Sequence, residues 1–169
     1  SRYREVLPGK PYVPPPPQQR LPLPPADEAQ LAKALYGLAD SNVADGLRQT
    51  VRGVSPLLSR HIPLHAGIAP DIPCEQMGTY EIDNLYRELA ALRKLMDEGA
   101  YQPCLRHDAQ GIYTDFAAIR PSEWPADSTI GRDSMNQAVE DFYQQREQRQ
   151  NWQARKQALA KALRKHQNR

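Results

Sequence analysis

The chain has little of what a large self-supporting core is built from. Two phenylalanines, two tryptophans and an aromatic content of 7% in 169 residues, with a mean hydropathy of −0.74, leave a small apolar inventory. A body built from it buries a modest core, and some of its apolar surface is expected to pack on something else. No apolar run approaches the roughly 18 to 20 residues that cross a bilayer, so no transmembrane segment is predicted. Cysteine is scarce too. Cys74 and Cys104 form no CxxC pair and cannot make a disulfide framework or a zinc ribbon. They read as two unrelated buried thiols, the alternative being a single bridge in an oxidising compartment.

Local catalytic motifs are also missing. The sequence contains no GxGxxG or GxxxxGK[ST] phosphate loop, no HExxH and no paired-carboxylate pattern, so no catalytic, cofactor-binding or metal-binding residue is assigned and the chain is read as a non-enzyme. His61 and His65 have the spacing of two ligands on one helical face. Pro63 lies between them and disfavours that helix, and no third ligand stands nearby, so both read as surface histidines.

Proline, by contrast, is abundant. Nine of the sixteen prolines fall in residues 1–25, including the run Pro14, Pro15, Pro16, Pro17. Such a stretch favours polyproline II, which has no internal hydrogen bonds and no core of its own. The run is a candidate partner-binding segment, either as an arm laid over a neighbouring protein or as a ligand for an aromatic groove of the WW type.

Helical patterning starts after Pro25. Leu31, Leu35 and Leu38 follow at i, i+4 and i+7, and Val43, Leu47 and Val51 make a second stripe behind the caps Ser41 or Asn42; together they predict a helical hairpin over 26–52. Residues 53–78 carry Pro56, Pro63, Pro70 and Pro73 with Gly53, Gly67 and Gly78, which predicts an extended connector with no element longer than about two turns. From Thr79 to Glu98 the pattern is strongly helical, with Thr79 as cap, Gly99 as stop, and Ile82, Leu85, Tyr86, Leu89, Leu92 and Met96 on one face. Asp108-Ala109-Gln110-Gly111 is a turn signal, and Ile112 to Ile119 fits a short strand or a helical turn equally well. The region 79–125 is thus a central helix followed by a turn region. Residues 126–169 read as a C-terminal helix capped near Asp133 and Ser134, with Met135, Val139, Phe142 and Tyr143 on its packing face.

Charge is distributed unevenly. Residues 144–169 hold eight Lys and Arg against Glu147 alone, a net +7 that leaves −5 for the remainder of a chain whose total is +2. Arg155, Lys156, Lys161, Arg164 and Lys165 are the candidate contacts of this basic end, with Trp152 and His166 available for stacking. The sign suits an acidic protein face, RNA phosphates or an anionic membrane surface.

The fold class expected from these features is mainly α: a small irregular helical body with an extended proline-rich N-terminal arm and a long basic C-terminal helix. The expected function is that of a non-catalytic accessory subunit of a large multi-protein assembly. A chain that begins at Ser1 without a methionine fits either initiator removal before a small residue or cleavage of a targeting presequence; with the modest net charge, the second points to a mitochondrial respiratory-chain or ATP-synthase component whose partners are other protein subunits. The alternative is an RNA-bound structural component, such as a mitochondrial ribosomal protein, contacting RNA through the basic helix.

Overall fold

The computed structural model describes residues 8, 9, 11, 12, 14 and 19–167. They form two compact units, Ser1–Ala90 and Ala91–Arg169. The first unit is helical. Helix α1 (Glu28–Tyr36) starts at a reciprocal cap: Asp27 accepts from the Gln30 amide at 2.7 Å, and the Gln30 side chain accepts from the Ala26 amide at 3.0 Å. Helix α2 (Val43–Thr50) is capped by Asn42, which accepts from the Asp45 amide at 2.8 Å. Leu31, Leu35, Val43, Leu47 and Val51 are all fully buried, as the two stripes predict, and each contributes about 1.5–3 kcal/mol by leaving water. Just before α1, Leu21 bridges to the end of α2 through its amide to Thr50 O (2.7 Å) and its carbonyl to Arg52 N (2.8 Å).

The stretch expected to be an extended connector contains a third helix, α3 (Pro56–His65). Pro56 sits in the first turn, where a missing N–H costs nothing, and Ser55 caps the helix by accepting from the Leu58 amide at 3.2 Å. Pro63 lies in the last turn and is itself buried. The prolines mark the two ends of this helix.

Helix α4 (Thr79–Glu98) forms over the predicted residues, with its boundary set differently. Glu81 reaches back to the Gly78 amide at 2.9 Å, so the reciprocal half of a capping box, and no Thr79 side-chain cap, fixes its start. Gly99 ends it at φ +65°, the left-handed geometry of a helix stop. Ile82, Leu85, Leu89 and Leu92 are buried, while Tyr86 is only half-buried and Met96 is 43% exposed.

The second unit corrects the expectation of a mainly α protein. It holds a three-stranded antiparallel sheet in the order β2-β1-β3, built from β1 (Cys104–His107), β2 (Tyr113–Ala117) and β3 (Thr129–Gly131). The molecule is therefore mixed α/β. Cys104 pairs with Ala117 and with Gly131, and Leu105 with Phe116 and Ile130. The turn between β1 and β2 forms where Asp108 and Gly111 signal it: Asp108 accepts from the amides of Gln110 and Ile112, both at 2.9 Å, and Gly111 takes φ +76°. Helix α5 (Met135–Gln167) follows the sheet as one element of 33 residues.

Candidate nucleic-acid interface

Helix α5 changes character along its length. Its start is fixed by Ser134, which accepts from the Gln137 amide at 3.2 Å, and Ala138 is fully buried. Phe142 meets Phe116 of β2 edge-on at 5.0 Å and Tyr143 at 5.3 Å. Tyr143, expected on the packing face, is 51% exposed. A polar clamp reinforces this end. Arg132 donates to Asp141 (2.5 Å), to the Tyr113 hydroxyl (2.9 Å) and to the Gly131 carbonyl (2.9 Å), a fork that lysine could not reproduce. The hydrogen bond that Arg132 donates to Asp141 raises its already high pKa, so the clamp stays charged.

Gln145 adds a second tie. Its Oε1 accepts from the Tyr113 amide at 2.7 Å and its Nε2 donates to the Gly111 carbonyl at 3.1 Å, which pins the β1–β2 turn to the helix. From Arg146 to Lys161 the helix buries nothing: every residue there is exposed. A helix that is polar all round gains no stability from packing. What it offers is charge.

Arg146, Arg149, Arg155, Lys156, Lys161 and Arg164 are exposed, and none of them forms an ion pair among the described residues. This contrasts with α4, where Arg87 pairs with Asp83, Arg93 with Asp97 and Lys94 with Glu98. Trp152 is 69% exposed within the same stretch. The sequence thus located the basic surface, and the structure places Arg155, Lys156, Lys161 and Arg164 on it. The backbone of Lys165 continues the helix. Of the other predicted contact segment, Pro14 is exposed, and Pro15, Pro16 and Pro17 lie outside the described residues.

Sequence reasoning missed a groove of about 210 Å³ at the root of the basic stretch, between the β1–β2 turn and α5. Arg146, Arg149, Gln150 and Gln153 line it at i, i+3, i+4 and i+7, the spacing of one helical face. That spacing was legible; its facing wall, Ile112 and Tyr113, was not, because it depends on the strand assignment.

The remaining candidates are structural or isolated. His61 and His65 do share a face of α3, with ring centroids 5.5 Å apart, and His65 Nδ1 lies 2.7 Å from Glu88. Among the described residues no group of three or more His, Cys, Asp or Glu is placed to hold a metal. Cys74 and Cys104 are both free and buried, and burial pushes both thiols up, offset in part at Cys104 by the Arg120 charge. No helix among the described residues is long and apolar enough to cross a membrane.

The fold is similar to that of the fibrinogen binding protein from Staphylococcus aureus, known from its crystal structure, with a TM-score of 0.61 at 24% identity over 82% of this chain. The chain spans 46% of the length of that protein. No curated protein sequence matches significantly. Over residues 1–169 the sequence matches the family described as NFACT N-terminal and middle domains, and the chain belongs to that family. Membership overturns the reading as an accessory subunit of a mitochondrial respiratory-chain or ATP-synthase complex; charge and an unpartnered helix are shared by many assembly proteins and did not discriminate between them.

Proposed function

We propose that this chain is an RNA-contacting part of a ribosome-associated factor, and that α5 makes the contact. Two things support the reading. The family to which the chain belongs consists of RNA-binding ribosome quality-control factors, and the exposed half of α5 carries unpaired cations in a chain that is otherwise net negative. The observation that carries the proposal is the second. Cations left without carboxylate partners over several turns form a linear positive surface, and RNA phosphates neutralise such a surface with release of counterions. In this role the chain binds and positions, and it performs no chemistry of its own.

Salt titration tests the proposal. Affinity for single-stranded RNA should fall linearly with log salt, each engaged cation adding about 0.7 to the slope. Replacing Arg155→Glu and Lys156→Glu together should lower affinity strongly and flatten the slope by about 1.4, two cations' worth. Binding that is insensitive to salt, or unchanged by this double reversal, would reject α5 as the contact.

A further inference from the structure

We infer that the groove beside the β1–β2 turn receives one unstacked base of a single-stranded RNA whose backbone runs along α5. The inference rests on the RNA reading above and goes further by assigning a base-binding site. The helical face into the groove presents Arg146 and Arg149 together with Gln150 and Gln153, against an apolar side made by Ile112, Tyr113 and Phe142. Each type has a distinct task there. The carboxamides of Gln150 and Gln153 carry both a donor and an acceptor, the pattern that matches the edge of a base. The two guanidiniums suit the flanking phosphates, and the apolar and aromatic wall accepts the face of a ring.

Size and rigidity agree with this. About 210 Å³ falls below the roughly 300–1,000 Å³ of pockets for drug-sized ligands, so the groove admits a single ring system and excludes a stacked run. Its turn-side wall is set in advance: Gln145 bonds both Gly111 and Tyr113, and Arg132 holds the Tyr113 hydroxyl. A base can enter only when splayed out of its stack, which is how proteins read single-stranded RNA. Double-stranded RNA keeps its bases inside and would meet only the cations.

The test compares two ten-residue strands of equal charge, one of uridine and one wholly abasic, by fluorescence anisotropy with the full chain. The wild type should bind the uridine strand about fivefold more tightly. The variant Q150A/Q153A should lose that preference while its affinity for the abasic strand stays the same. Both positions are exposed, and circular dichroism checks that the helix persists. Equal binding of the two strands by the wild type, or a preference that survives in the variant, overturns the base site and leaves the RNA reading standing. Binding of neither strand overturns both.

Discussion

Small residues decide much of the first unit. A Cβ added at Gly46 would lie 2.7 Å from Cys74 Sγ and 3.0 Å from Leu35 Cδ2, and both neighbours are fully buried. Alanine is the better helix former by about 1 kcal/mol, but overpacking a closed core costs about 1–3 kcal/mol. Gly46→Ala should therefore destabilise by about 0–2 kcal/mol on balance. In a Cys74→Ala background, with the sulfur gone, the same change should cost less than half as much, and urea unfolding of the four-variant cycle measures the coupling. The thiols also give stability a pH dependence. Burial holds the pKa of Cys74 and Cys104 above the ordinary value, so above about pH 8.5 the unfolded chain gives up protons that the folded chain keeps. Their contribution is complete below the unfolded pKa and is lost as pH climbs toward the folded one. Between pH 8 and 10 the urea midpoint should fall, and the double variant Cys74→Ala, Cys104→Ala should flatten that fall.

At the scale of elements, the helices with dense apolar stripes were legible, and the proline-marked helix and the strands β1 and β3 were not. Leu31 and Leu35, Val43 and Leu47, and Ile82, Leu85 and Leu89 announce their faces by spacing alone, and all are buried. Helix α3 was hidden because proline reads as a breaker, although Pro56 lies in a first turn and Pro63 in a last one. The signal that could have found it is Ser55-Pro56, a cap followed by proline at the first helical position. Removing that cap with Ser55→Ala should cost about 1 kcal/mol, read as a lower melting temperature and faster amide exchange at Leu58. Of the strands, β2 falls inside the Ile112 to Ile119 stretch that read as a short strand or a helical turn, while β1 and β3 escaped for a different reason. The strands run 3 to 5 residues, and β1 shows two buried residues in succession where a half-buried strand would alternate. Their pairing is set by Cys104, Leu105 and Arg106 meeting β2 and β3 together, information that no single segment carries. The Asp108–Gly111 turn and the undecided Ile112 to Ile119 stretch were the signals of the hairpin, and the base groove inherited that uncertainty.

At the scale of the whole molecule, folding and charge are separable, and this is the property most open to test. In the second unit the residues from Arg146 to Lys161 are all exposed, whereas the net charge of +7 begins after Gln145. The sequence showed both boundaries, since the packing face ends at Tyr143 and the helix turns polar from Gln144, where the basic stretch begins; what it did not show is the Gln145 tie that fixes the end of the packed half. A chain ending at Gln145 loses all of the basic stretch, so its formal charge changes from +2 to −5. Because the deleted segment buries nothing from Arg146 to Lys161, the shortened chain should unfold at nearly the same urea concentration as the parent, with its midpoint shifted only by relief or gain of long-range charge repulsion. Its affinity for RNA should collapse, since a net −5 body repels phosphate. Loss of folding on truncation would mean that the polar half of α5 supports the body, and retained RNA binding would place the contact on the first 145 residues.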